Sequence, residues 1–227
     1  NRLIVTCCLP PGDKALGDLM PAGLAERSEG WRARSVGLML SELKLATKNC
    51  KDIFRRLRMG NEGADASAHY SMVSALHLSG ADLGRDGLAM LSELLISQTC
   101  TVNSLDLSYT QFDGYSLLQS LRSNGSITSL DVRKVAGMDK LYQTLSDMLL
   151  QEGGKCRLGC LRCDAFDVLE GARVLSFNEH LLDASEMLML IGLMKHNRFA
   201  RELDLTATAM GPSSAKTLAG VLRVNTM

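Results

Sequence analysis

The chain has 227 residues, 46% of them hydrophobic, which suits one or two domains with a substantial core and excludes a disordered chain. Lys plus Arg equals Asp plus Glu at 25 each, so no overall field draws it to nucleic acid or an anionic membrane. No apolar run reaches the roughly 18 residues of a transmembrane helix. The seven cysteines, Cys7, Cys8, Cys50, Cys100, Cys156, Cys160 and Cys163, are odd in number and irregularly spaced. That pattern suits reduced, buried thiols in an intracellular, cytoplasmic protein better than a disulfide framework.

Residues 1–30 hold Pro10-Pro11-Gly12, Pro21 and scattered Gly without a sustained period, and read as an irregular lead-in too short of apolar length for a signal peptide. Residues 31–72 read as a helical segment and linker. Val36, Leu40, Leu43, Ile53, Phe54 and Leu57 suggest one or two amphipathic helices, although Leu43-Lys44-Leu45 also suits the strand of a degenerate repeat. Lys51, Arg55, Arg56 and Arg58 fit the solvated face of a helix better than a phosphate or membrane patch. Asn61 to Ser67 has the composition of a linker.

An array begins at Val73 and runs to the end of the sequence. Its L-x-L markers are Leu76, Leu105, Leu130, Leu161, Leu175 and Leu203, at steps of 29, 25, 31, 14 and 28. The clearest copy is Arg173 to Asn225, where Leu175, Phe177, Leu182, Leu190, Met194 and Asn197 recur at one constant shift as Leu203, Leu205, Met210, Leu218, Leu222 and Asn225. Alternating residues at the start of each copy suit a short strand, and the later spacings of three and four suit a helix. Helix leucines fall at one fixed offset beyond four markers, at Leu91, Leu145, Leu190 and Leu218. Large apolar residues fall a further helical turn along, at Leu95, Leu149, Met194 and Leu222. The step of 25 is a shortened repeat with Leu117, Leu118 and Leu121 in its helix. The step of 14 is too short for a helix, so Leu161 to Val168 reads as a strand followed by the loop around Glu170-Gly171. The sequence begins without Met and stops shortly after Leu222, as a truncated piece of a longer array would.

The pattern V-x-x-L-x-L-x-x-x-x-L-x-x-x-G at Val73 to Gly87, followed by an amphipathic helix, resembles the leucine-rich repeats of the ribonuclease-inhibitor type. Such repeats also form the sensor arrays of NOD-like receptors and the Ran GTPase-activating proteins. The resemblance covers about two thirds of the chain and implies an α/β leucine-rich-repeat solenoid of about six repeats, one strand and one helix each, preceded by the helical or irregular N-terminal segment. The family usually sets Asn, Cys or Thr three residues after the second leucine. This chain has Ala81, Thr110, Val135, Phe166, His180 and Thr208 there, so the polar ladder is expected to be interrupted.

In such a solenoid the strands pair in parallel on a concave side, with marker leucines pointing into the core and the residues between them into the concavity. One concave column is then His77, Asp106, Asp131, Arg162, Ser176 and Asp204, and a second is Ser79, Ser108, Arg133, Asp164, Asn178 and Thr206. Tyr109, Lys134 and Glu179 follow at the edge. Polar groups repeated at a strand spacing of about 4.8 Å suit an extended protein surface, the plainer alternative being mere solvation. The expected function is protein binding as a scaffold or recognition module. Asp106, Asp131 and Asp204 would favour a basic patch, with Arg133 and Arg162 marking a counter-charged zone.

Other chemistry is poorly represented. Cys156-x-x-x-Cys160-x-x-Cys163 has the spacing that holds an iron–sulfur cluster in radical S-adenosylmethionine enzymes, but Cys163 falls at an inward strand position and suits a core residue better. His69, His77, His180 and His196 lie apart from any metal-ligand spacing. No phosphate-binding loop, nucleophile elbow or H-E-x-x-H is present, and Asp106 with Asp131 on an open sheet lacks a closed pocket. The expectation is a protein that is not an enzyme, with no cofactor, metal, nucleic acid, membrane or small-molecule partner. The alternative implied by the resemblance is a Ran-directed GTPase-activating protein, for which Arg85, in the loop after Leu83, is the candidate arginine. Asn124-Gly125-Ser126 is a glycosylation sequon that reads as a turn between helix and strand.

Overall fold

A computed structural model describes residues 2–6, 35–41, 47–58, 73–178 and 180–225. The chain divides into two compact units, Asn1–Gln111 and Phe112–Met227. Both are mixed α/β, with parallel strands dominating.

The N-terminal unit contains β1 (Arg2–Thr6), β2 (Ser35–Met39), α1 (Thr47–Arg58), β3 (Val73–His77), α2 (Gly84–Ile96) and β4 (Ser104–Asp106). β1 pairs with β2, β2 with β3 and β3 with β4, all in parallel. The register aligns Leu38 with Leu76 and Leu76 with Leu105. β1 corrects the irregular reading of residues 2–6. β2 corrects the helical reading of Val36, and Leu40 directly follows the strand, while the rest of 1–30, the stretch Leu43–Leu45 and the linker Asn61–Ser67 lie outside the described residues.

The signal for β2 is present in the sequence. Leu38-Met39-Leu40 is an L-x-L triplet, and Ile53 and Leu57 stand beyond its first leucine at the same two offsets that place Leu91 and Leu95 beyond Leu76. Its distance from Leu76 hides it. On α1, Cys50, Ile53, Phe54 and Leu57 are buried while Lys51 and Arg55 are exposed, which is the amphipathic division a surface helix needs. α1 packs on α2. Gly87, the glycine that closes the sequence pattern, permits that approach: a Cβ there would sit 2.9 Å from Cys50 Sγ and 3.0 Å from Leu83 Cβ.

The C-terminal unit contains α3 (Gly114–Ser123), β5 (Ser129–Asp131), a 3-10 turn (Asp139–Leu141), α4 (Tyr142–Leu150), β6 (Cys160–Arg162), β7 (Asp167–Val168), β8 (Val174–Ser176), α5 (Ala184–Met194), β9 (Glu202–Asp204) and α6 (Pro212–Val224). β5 pairs in parallel with β6, and β8 with β9. α3 buries Leu117, Leu118 and Leu121. Two helices carry sequence-encoded starts. Asp113 accepts the Tyr115 and Ser116 amides at 3.0 and 3.1 Å, and Asp183 with Glu186 forms a reciprocal capping box at the head of α5.

The short step departs from expectation. Leu161 to Val168 is a hairpin, with β6 and β7 antiparallel, Leu161 opposite Val168 and Arg162 opposite Asp167. The Cys163 amide donates to the Phe166 carbonyl at 3.0 Å, closing a turn over Asp164 and Ala165. Val168 is thereby turned inward and fully buried, so the hairpin fills core that a missing helix leaves. α4 packs directly on α5, and Gly192 allows it: a Cβ there would lie 2.8 Å from Leu149 Cβ. α5 in turn packs on α6.

Candidate functional site

Three of the turns that follow the strands share one construction. An aspartate one residue after the marker leucine accepts the backbone amide two residues further on: Asp106 from Ser108 at 3.0 Å, Asp131 from Arg133 at 3.2 Å and Asp204 from Thr206 at 2.9 Å. This side-chain-to-backbone bond mimics a backbone turn and fixes the chain leaving the strand. The residue four beyond the marker has φ near +60° at Gly80 (65°), Tyr109 (58°), Lys134 (59°) and Ala207 (58°). Three of the four lack the freedom of glycine there, so the turn imposes a left-handed conformation that the residues would not choose.

The polar ladder is kept where the sequence has threonine. Thr110 Oγ1 donates to the Leu107 carbonyl at 2.6 Å and Thr208 Oγ1 to the Leu205 carbonyl at 2.7 Å. At Ala81 and Val135 only the backbone amide bonds the second marker carbonyl, and the His180 ring instead lies against the Phe177 ring. A second ladder, signalled in the sequence only by the Asn197–Asn225 match, runs through the ends of helices. Asn197 Nδ2 donates to the Gly159 carbonyl at 2.8 Å, and Asn225 Nδ2 donates to the Met194 and Asn197 carbonyls. The buried Asn124 accepts the Ser126 and Ile127 amides, which explains the sequon as structure.

In the N-terminal unit, Asp106 Oδ1 also accepts Ser108 Oγ at 2.7 Å, and Ser108 Oγ lies 2.9 Å from Ser79 Oγ. His77 Nδ1 stands 3.9 Å from Asp106 Oδ2. Burial works against the Asp106 carboxylate, but the His77 ring beside it and the hydrogen bonds from the Ser108 hydroxyl and amide outweigh it and hold the pKa below the ordinary aspartate value. Ser108 is buried, so it is a support and not a contact residue. Tyr109 is 61% exposed at the top of this turn. Arg85 is not in a loop. It lies in the first turn of α2 and is exposed.

In the C-terminal unit, Asp131 is buried at 7% and doubly clamped. Arg133 reaches it with Nε at 3.0 Å and Nη2 at 2.7 Å, while Arg162 Nη1 stands 3.4 Å away. Arg162 Nε is also 3.4 Å from Asp167 Oδ2. Lys134 Nζ pairs with Asp164 at 3.3 Å, and both are exposed. Ser176 Oγ is 3.4 Å from Asp204 Oδ2. Asp204 accepts Thr206 Oγ1 at 2.5 Å, and that hydroxyl, with the Thr206 amide, lowers its pKa. Asn178 and Thr206 are exposed, and Glu179 lies outside the described residues. The three aspartates expected to face a basic partner are therefore engaged by their own chain. The exposed candidates are Ser176 and the groups beside the aspartates, Tyr109, Lys134, Asp164, Asn178 and Thr206.

The cysteine triplet is core. Cys156, Cys160 and Cys163 are each 4% exposed, and burial pushes all three thiols up, Cys160 to about 11. They are therefore neutral thiols at neutral pH, and Cys163 Sγ donates to the Phe166 carbonyl. Among the described residues no group of three His, Cys, Asp or Glu is arranged to hold a metal ion. No described helix is long and apolar enough to cross a membrane. No protein-family model matches the chain, and no curated protein matches it significantly.

Proposed function

We propose that the chain is a leucine-rich-repeat solenoid of the ribonuclease-inhibitor type that works as a protein-binding module, with its partner taken on the strand side. The observation that carries this reading is the turn repeated after β4, β5 and β9. An aspartate cap and a left-handed residue hold each of these three turns, so the exposed side chains they carry are ordered before a partner arrives. Pre-ordered side chains lose less freedom on binding, which is where an interface gains affinity. Tyr109 is the natural anchor, since aromatic residues carry much of the energy of protein interfaces and this one is exposed on a fixed backbone. Arg85 lies on α2, and among the described residues no feature favours the GTPase-activating alternative.

The test compares proteins retained from native extract by the wild-type chain, by Tyr109→Asn and by Asn178→Lys. Neither change touches an aspartate cap, and Asn accepts a left-handed backbone readily. A protein retained by the wild type and lost with either variant, at unchanged circular dichroism and urea midpoint, supports the strand-side site. Identical retention by all three would remove it.

A further inference from the structure

We propose that the loops entering β6 and β9 form a second docking surface, which takes a short acidic segment of another protein on Lys155, Arg157, Lys195, Arg198 and Arg201. This surface lies at the strand entries, at the opposite end of the strands from the capped turns, and does not depend on the strand-side reading.

Two segments of the C-terminal unit, residues 152–159 and 195–202, meet here. Gly159 packs so closely on the end of α5 that a Cβ there would lie 2.7 Å from the His196 carbonyl carbon and oxygen. Asn197 Nδ2 donates to the Gly159 carbonyl at 2.8 Å, and Asn197 Oδ1 accepts the Phe199 and Ala200 amides at 2.9 Å each, so the loop carrying Arg198 is tied to the one carrying Arg157. Lys195 Nζ donates to the Leu150 and Gln151 carbonyls at 3.1 and 3.0 Å, and Arg157 Nη1 to the Gly154 carbonyl at 2.5 Å. The half-buried His196 ring lies in the field of three of these cations. Burial first, then Lys195 and Arg157, and more weakly Arg198, press its pKa down to about 4 against a hydrogen bond with the Leu149 carbonyl.

Cations at the other end of the strands are answered by carboxylates: Arg133 and Arg162 by Asp131, and Lys134 by Asp164. At the entries the charge is left over. Among the described residues none of the five cations has a carboxylate within ion-pair distance. Lys195 and Arg157 meet carbonyls, whose partial charge offsets only part of a full one. Lys155, Arg157, Arg198 and Arg201 are exposed. Carboxylates laid among them gain charge-assisted hydrogen bonds, and the arginines can take them in bidentate fashion. The exposed Glu152 and Glu202 bracket the two segments in sequence, and the chain as a whole is neutral. A long polyanion, with a phosphate about every 3.4 Å of strand, runs past five cations onto like charge, whereas a short acidic segment matches them.

The experiment titrates the chain with an end-blocked hexaglutamate peptide and follows the His196 ring and the amides of residues 155–157 and 195–201 by NMR. The expected result is saturable shifts at those positions, with binding that weakens as salt rises. Arg198→Glu and Lys155→Glu should each weaken binding tenfold or more at an unchanged urea midpoint. Lys216→Glu makes the same charge change at an exposed position of α6 and should leave binding intact. Absence of shifts at these residues would overturn the proposal, as would an equal loss with Lys216→Glu, which would mean overall charge and not this surface. Tighter binding of a thymidine oligonucleotide or of phosphatidylserine vesicles than of hexaglutamate would also overturn it, since the partner would then be of another class. None of these outcomes depends on Tyr109 or Asn178, so failure here is distinguishable from failure of the strand-side reading.

Discussion

Ser-Leu-Asp occurs twice as a strand, at Ser104–Asp106 and at Ser129–Asp131, and the two aspartates have different fates. Asp106 is half-buried and held by a serine, with His77 beside it, whereas Asp131 is buried under two guanidinium groups. The difference comes from the adjacent strand and the turn. β3 sets His77 opposite Asp106, β6 sets Arg162 opposite Asp131, and the turn residue is Ser108 in one case and Arg133 in the other. Identical tripeptides thus acquire their chemistry from what is paired to them across the sheet.

The comparison can be broken most readily at the clamped site. Asp131→Ala removes the carboxylate that Arg133 and Arg162 both reach and uncaps the turn, and should cost roughly 2–4 kcal/mol, the half-exposed arginines softening the penalty by reaching water. Asp106→Ala loses a cap and a hydroxyl partner and should cost about 1–2 kcal/mol. Urea denaturation checks both, and equal costs would mean the clamp adds nothing. Arg162→His gives Asp131 the kind of neighbour Asp106 has. It should cost about 1 kcal/mol, read from the same melts, because that pair is part-exposed.

The pH dependence is a smaller effect. The folded pKa of Asp106 is lowered, so its contribution is present above the unfolded value near 4 and is lost as pH falls through the folded one. The stability gap between wild type and Asp106→Asn should therefore be largest near neutrality and shrink in acid. A gap unchanged between pH 7 and pH 3 would deny the ionic role. Smallest of all, Tyr109→Gly and Lys134→Gly remove the left-handed strain in the two matching turns. Each should raise the urea midpoint by the equivalent of about 0.5 kcal/mol, the entropy of glycine offsetting most of the relief. A loss of stability in either would mean the side chain, and not the cap, holds the turn.

Much of this is legible in the sequence, because apolar spacing is set by the geometry of a strand and a helix. The markers from Leu76 to Leu203 all fall at strands, and Leu91, Leu145 and Leu190 are buried where the period puts them. Leu38-Met39-Leu40 escapes that reading although it carries the same spacing, since a long connection separates it from Leu76. The hairpin at Cys160–Val168 is not legible, as a reversal closed by a Cys163–Phe166 backbone bond has no apolar period to betray it. The site is half legible. Alternation says which residues leave the core, but the engagement of Asp106, Asp131 and Asp204 by their own turns depends on hydrogen bonds two residues away, which periodicity does not record.

The most direct test of the strand-side site is amide hydrogen exchange of the chain with and without the protein it retains from extract. The account predicts added protection at the turns after β4 or β5, in Ser108–Tyr109 or Arg133–Lys134, with the exposed faces of α1 and α6 unchanged. Protection confined to those helices would contradict it and move the binding site to the other side of the strands.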